Sequence, residues 1–354
     1  MDKSQPTAAP QPDAAAAKNI ESFYPLSPMQ QGMLFHSLFA PESGVYVEQL
    51  NTTLRGRLDI PAFERTWQRV VQRHPILRTA FAWEGLKEPI QVVRREVNMT
   101  IAQEDWRGLD PAEQQRRLAA FLPAEQARGF DLTKAPLIRL ALLRLADDAY
   151  EFVWTHHHIL LDGWSIPLLL REVFAHYDAF SRGQDLHLPA PRPFRDYIVW
   201  LRRQDMAQAE AYWRRTLKGF TAPTPLTVGT SAPDAGEAVA HGELEAHLPA
   251  DLTEKLTALA RQHRLTLNTL VMAAWALLLS RYSREEDVLF GATVSGRPAD
   301  LPGAESMMGL FINTLPVRVH VPPAAELLTW LRELQAQQAE LRQYEYTPLV
   351  EIQG

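Results

Sequence analysis

The sequence predicts a mixed α/β protein (α+β layered) built as two lobes, on three observations. The apolar period switches repeatedly between 2 and 3.6 residues along the chain. A proline-rich break, Leu188-Pro189-Ala190-Pro191-Arg192-Pro193, falls near its middle. The length of 354 residues exceeds what one small core organises.

Taken in order, residues 1–20 are rich in Pro and Ala and read as a flexible leader or linker, with ordered chain expected from Phe23-Tyr24-Pro25. Residues 47–58 alternate like a strand. Residues 60–73 fit a helix with Phe63, Trp67, Val70 and Val71 on one face. Residues 137–145 and 150–155 read as paired strands joined by the turn-prone Ala146-Asp147-Asp148. Residues 166–180 fit a helix with the stripe Ile166, Leu169, Leu170, Val173, Phe174 and Tyr177, and Ser165 is placed to cap it. Beyond the break, helices are expected over 194–217, 251–263, 267–282 and 324–343. Strands are expected over 242–248, 288–294 (a buried one) and 315–321. The expected lobes are residues 21–187 and 188–354.

Composition narrows the function classes. The net charge is −6 and no basic run is long enough to track a phosphate backbone, so a nucleic-acid partner is not expected. The absence of cysteine excludes disulfides, thiolate metal sites and a cysteine nucleophile. No apolar run approaches the roughly 20 residues of a membrane span, and residues 1–17 lack the apolar core of a signal peptide. No membrane association is expected, and the expected location is cytoplasmic.

Chemistry concentrates in Thr155-His156-His157-His158-Ile159-Leu160-Leu161-Asp162-Gly163-Trp164-Ser165, a strand end, a polar loop and a helix start. On the strand, Tyr150, Phe152, Trp154, His156 and His158 share one parity and His157 takes the other. Histidine titrates nearest neutrality and suits a general base or proton shuttle. A neighbouring carboxylate can lock its geometry or pair with an arginine. Gly163 is read as supplying a backbone conformation that other residues resist and an N–H for a developing oxyanion. Amide or ester formation needs those parts. Three adjacent histidines also fit a metal site or a solvated strand end. Against a metal, strand neighbours point to opposite faces and no partner stands at helical spacing, so none is expected.

His157-His158-x-x-x-Asp162-Gly163 resembles the HHxxxDG signature of condensation domains from nonribosomal peptide synthetases. Four further segments resemble that family's motifs, in its order. They are Leu26-Ser27-Pro28-Met29-Gln30-Gln31-Gly32-Met33-Leu34-Phe35-His36, Arg73-His74-Pro75-Ile76-Leu77-Arg78-Thr79-Ala80-Phe81, Phe194-Arg195-Asp196-Tyr197-Ile198-Val199-Trp200 and Met308-Gly309-Leu310-Phe311-Ile312-Asn313-Thr314-Leu315-Pro316-Val317-Arg318. The resemblance implies two chloramphenicol-acetyltransferase-like lobes in a V with a central tunnel. It implies that an acceptor aminoacyl amine attacks a donor peptidyl or aminoacyl thioester. Both would arrive on phosphopantetheine arms of partner carrier domains, with no cofactor bound directly. By the same resemblance His158 is the catalytic histidine, as base or as amine-holding group, and Gly163 is catalytic with it, bringing its backbone N–H towards the thioester oxygen. His157 is structural, and Asp162 anchors Arg78, with Arg73 as the alternative partner. Trp164, Ser165, Asn313, Met29 and Gln30 line the substrate tunnel.

The first motif and the run Leu160-Leu161-Asp162-Gly163-Trp164-Ser165-Ile166-Pro167 resemble domains that join a D-configured donor to an L-configured acceptor. Upstream donor and downstream acceptor carrier domains, an adenylation domain and an epimerisation domain are the partners this implies. Family members continue beyond the position of Gly354, so the second lobe is expected to be incomplete. Two other readings stay open: a freestanding acyltransferase using coenzyme A or one carrier protein, and a non-catalytic carrier-docking module.

Overall fold

The computed structural model describes residues 18–41, 44–226 and 244–353. Their elements fall into two units, Met1–Gln204 with Ser295–Ile312, and Asp205–Val294 with Asn313–Gly354.

The first unit contains β1 (Ile20–Pro25), α1 (Pro28–Phe39), β2 (Val47–Arg55), α2 (Ile60–Arg73), β3 (Thr79–Ala82), β4 (Ile90–Arg94), β5 (Ile101–Asp105), α3 (Pro111–Ala127), β6 (Ile138–Ala146), β7 (Ala149–His157), α4 (Ser165–Ser181) and α5 (Arg195–Leu201). Two sheets form, in the orders β1-β4-β3 and β2-β7-β6-β5. In the second, β7 is central and antiparallel to both neighbours, with Val47 opposite His157 and Ile138 opposite His156. Both faces of this sheet are covered. Tyr150, Phe152 and Trp154 join the main core with Trp67 and Phe63 of α2, whereas Val153 packs with Ala141, Leu143 and Trp106, against Phe121 of α3. Burial on both faces is why β7 carries apolar side chains at both parities, Phe152 and Trp154 on one face and Val153 on the other.

Local chemistry sets the helix bounds. Asp59 accepts the Ala62 N–H at 3.0 Å to start α2. Pro75 disfavours helical backbone at the residue before it, so α2 ends at Arg73. Its expected stripe is buried, Trp67 and Val70 completely, and each such side chain contributes about 1.5–3 kcal/mol. The helix over α4 has its expected stripe buried or half-buried except at Phe174, which is 59% exposed. Ser165 is not the cap expected of it. It is the first helical residue, and its N–H donates to the Asp162 carboxylate at 2.9 Å.

The second unit contains α6 (Met206–Thr216), α7 (Ala250–His263), α8 (Leu267–Ser283), β8 (Asp287–Val294), β9 (Asn313–His320), α9 (Leu327–Leu341) and α10 (Leu349–Gln353). β8 and β9 pair antiparallel, Val294 opposite Asn313. A separate core gathers Tyr212, Trp213, Ala276, Val288, Leu315, Val317 and Leu334. β8 is less buried than expected, with only Val288 fully so.

Three expectations are corrected. The boundary expected after residue 187 falls after Gln204, and Ser295–Ile312 belongs to the first unit. The proline-rich segment is tied there, because Arg73 donates to the carbonyls of Leu188 and Pro189 and Arg192 to that of Pro302. The helix expected over 194–217 is two helices. Asp205 accepts the Gln208 N–H at 3.0 Å and starts α6 anew. Of the strand expected over 242–248, residues 244–248 are irregular and 242–243 lie outside the described residues, as do residues 1–17 of the expected leader. Among the described residues, no single helix is long and apolar enough to cross a membrane.

Candidate active site

β7 and the residue that follows it deliver three histidines in different environments. His156 is 5% exposed and lies beside Trp154, ring centres 5.0 Å apart, with its Nδ1 unpartnered. Burial first, then the charges of His158 and His157, pushes it down to about 3. His157 accepts the Ile159 N–H on Nδ1 at 3.1 Å. Nε2 therefore carries its proton, and it meets the Ser37 hydroxyl at 3.3 Å. Burial and then His158 push His157 down to about 4, so it is neutral.

His158 lies just past the strand, half-buried, with its backbone N–H donating to Tyr46 O at 2.8 Å. Its Nδ1 is 2.7 Å from Leu161 O. A carbonyl only accepts, so Nδ1 carries a proton, and in the neutral imidazole the lone pair lies on Nε2. Among the described residues nothing hydrogen-bonds to that Nε2. This is the arrangement of a base or of an acceptor for an amine.

Asp162 is 1% exposed and turned into the protein. Its Oδ1 accepts from Ser165 N (2.9 Å), Ser165 Oγ (2.8 Å) and Arg297 Nη2 (3.0 Å), and its Oδ2 accepts from Phe311 N (3.0 Å). Ser165 Oγ also receives the N–H of Gly309 and lies 2.9 Å from Gly309 O. Arg297 spends Nη1 on the carbonyls of Ala304 and Met307 and lies 4.1 Å over the Phe311 ring. Burial lowers the guanidinium from its ordinary value against the pull of Asp162. Close approach needs two glycines. At Gly296, with φ +59°, a Cβ would fall 1.8 Å from Phe311 O, and at Gly309 it would fall 2.1 Å from the Phe194 ring.

The partner expected for Asp162 is corrected. Arg78 instead donates to Glu21 at 2.7 Å and to the carbonyls of Arg94 and Arg95, locking the ends of β1 and β4. Arg73 pairs with Glu172 at 2.9 Å, which also takes His74 Nε2 at 2.8 Å. Arg297 was missed: the only local signal, Gly296-Arg297-Pro298 after a strand, stands 135 residues from Asp162.

Gly163 is exposed, its φ is ordinary, and a Cβ there would meet nothing within 4 Å. The expected conformational reason for a glycine therefore fails, and what the residue provides is open space beside a backbone N–H with no partner among the described residues. Trp164 is 53% exposed and donates to Glu305 O at 2.9 Å. The tunnel positions expected for Ser165 and Gln30 are corrected. Ser165 and Gln30 are completely buried and hydrogen-bonded. Asn313 spends its amide on the carbonyls of Glu345 and Thr347, both at 2.8 Å, inside the second unit. Met29 is half-buried against the main core.

The family model of the condensation domain matches residues 20–354. The chain is 52% identical over 337 residues to a linear gramicidin synthase polypeptide of Brevibacillus parabrevis, across 95% of this chain but only 7% of that protein. Among solved structures, it resembles the first condensation domain of the calcium-dependent antibiotic synthetase with a TM-score of 0.75 at 20% identity, covering 93% of this chain and 76% of that one. It also resembles a four-domain nonribosomal peptide synthetase bound to AMP and glycine, with a TM-score of 0.77 at 19% identity, covering 94% of this chain and 25% of that one. Those likenesses show the expected mixed α/β fold, and the ordered motifs and the family match converge on one assignment. The chain belongs to the condensation-domain family found in nonribosomal peptide synthetases.

Proposed function

We propose that the chain forms a peptide bond between two carrier-bound substrates, an L-configured aminoacyl acceptor and a donor thioester ending in a D-residue. One observation carries the reading: the His158 imidazole is held by Leu161 O in the tautomer that leaves the Nε2 lone pair unused. The acceptor nitrogen attacks the donor thioester carbon, and the C–N bond forms as charge moves to the oxygen. The Gly163 N–H, beside space that no side chain occupies, donates to that oxyanion. Collapse breaks the C–S bond, and the proton lost by the amine passes by way of His158 Nε2 to the leaving sulfur. Two arms held in register contribute through proximity as well, an effect that reaches roughly 7–11 kcal/mol at best. Asp162 and Arg297 act on the loop and not on substrate. The subtype rests on the first and central motifs, and the upstream and downstream carrier domains, with adenylation and epimerisation neighbours, are the partners it calls for.

The test supplies D- and L-aminoacyl carrier proteins as donors, to the chain and to His158→Ala. The expected result is dipeptide from the D-donor, and a loss on the order of 10²-fold or more in the variant. Equal yield from His158→Ala would end the assignment of His158, preference for the L-donor would end the subtype, and product from an acyl-coenzyme A donor alone would favour a freestanding acyltransferase.

A further inference from the structure

Two polar side chains on α1 have no place in the reaction as described, yet one reaches the loop that carries His158 and the other reaches His157, the residue before it. Gln30 is completely buried and uses every hydrogen-bonding position it has. Its Oε1 accepts from Ser27 N at 2.9 Å and from Gln91 Nε2 at 2.8 Å. Its Nε2 donates to Gln91 Oε1 and to Ile159 O, both at 3.1 Å. Gln91 in turn donates to Pro25 O at 3.0 Å, so the amide pair is anchored on β1 and β4 as well. Two turns along α1, the Ser37 hydroxyl donates to Met33 O at 2.8 Å and faces His157 Nε2 at 3.3 Å. His157 then takes the Ile159 N–H on Nδ1.

Both backbone polar groups of Ile159 are therefore held from α1, the carbonyl by Gln30 directly and the N–H by Ser37 through His157. Ile159 immediately follows His158, and the same short loop supplies Leu161 O, which sets the His158 tautomer. We infer that Gln30 and Ser37 are positioning residues: α1 sets the aim of the His158 lone pair by clamping Ile159 from both sides. The inference rests on the reading of His158 as the catalytic histidine. A single hydroxyl or amide removed from α1 lets the loop rotate without removing any group that touches substrate, so turnover falls while carrier binding is kept.

The experiment compares the wild-type chain, Ser37→Ala, Ser37→Thr and Gln30→Met, with His158→Ala alongside. Ser37→Ala is expected to lower kcat about tenfold with KM for the acceptor carrier within about twofold, because positional precision and not binding is lost. Ser37→Thr, which keeps the hydroxyl, is expected to restore most of that loss. Independently of activity, hydrogen exchange at the Ile159 amide is expected to quicken in Ser37→Ala, and the ¹⁵N resonances of His157 and His158 to shift. Gln30→Met removes the other half of the clamp and is read by the same exchange and resonance measurements if its folding suffers. Unchanged kcat, exchange and resonances in Ser37→Ala, with His158→Ala inactive, would overturn the inference. A rise in KM alone would do the same. If His158→Ala were fully active the catalytic reading would fail, and the Ile159 exchange and imidazole resonances would still decide whether α1 holds the loop.

Discussion

Asp162 is the residue whose role changes most between its motif and its surroundings. A carboxylate four positions from a histidine suggests a catalytic pair, yet its two oxygens are spent on Ser165, Phe311 and Arg297, and His158 is oriented by a backbone carbonyl instead. The Asp162–Arg297 pair is almost entirely out of solvent, at 0% and 5% side-chain exposure. Breaking such a pair from one side leaves a buried charge uncompensated and costs roughly 3–5 kcal/mol. Arg297→Met is therefore expected to destabilise the first unit by that amount in urea denaturation. The double variant with Asp162→Asn is expected to regain a substantial part, since the stranded charge is gone. Equal stability of the single and double variants would contradict the pair. At this scale the sequence was legible where the signal is local: the shared parity of Tyr150, Phe152 and Trp154 survives as one packed face of β7. It was illegible where partners meet only through the fold. Nothing near Arg78 distinguishes a partner of Glu21 from a partner of Asp162, and nothing near Gln30 reveals an amide pair closed by Gln91, 61 residues away.

At the scale of elements, α2 and α4 are joined by one carboxylate. Glu172 on α4 takes Arg73 at the end of α2 and His74 just beyond it, at 2.9 and 2.8 Å. Burial alone would raise Glu172, but the hydrogen bonds and charges of His74 and Arg73 outweigh it, so the carboxyl sits below its ordinary range. A carboxyl lowered by folding adds stability above its unfolded value of about 4.3, and that contribution disappears as pH falls through the lower folded value. Glu172→Gln is expected to lower stability by about 1–2 kcal/mol at pH 7. The gap between the variant and wild type is expected to narrow as pH drops below about 4. Urea titrations at both pH values measure this, and a gap independent of pH would rule out the charged bridge. The helices themselves were legible because period and caps are local, with α2 found at its expected bounds. The break between α5 and α6 was not, because Arg202-Arg203-Gln204-Asp205 suits an exposed helical surface as well as a turn, and only the Asp205 side chain capping Gln208 decides it.

At the scale of the whole molecule, the two units carry separate cores and are expected to respond differently to acid. Among the described residues, the histidines that folding holds below their ordinary value, His156, His157 and His176, all belong to the first unit. His156 and His157 flank the end of its central strand and are pushed down to about 3 and about 4. Unfolding returns them to about 6.5. Between those values the unfolded chain binds protons that the folded chain refuses, so stability rises with pH across the window and is complete only above about 6.5. Each of the two histidines contributes at most about 1.4 kcal/mol per pH unit within it. Hydrogen exchange resolved by segment, corrected for the intrinsic pH dependence of exchange, separates the units. Protection of β6 and β7 is expected to fall as pH drops from 7 to 5, and to fall more than protection of β8 and β9. His156→Phe keeps an aromatic ring beside Trp154 but removes one titrating group, so it is expected to make the decline in β7 less steep. Parallel declines in both units, or an unaltered slope in His156→Phe, would mean that the acid sensitivity arises elsewhere than in the buried histidines behind the candidate site.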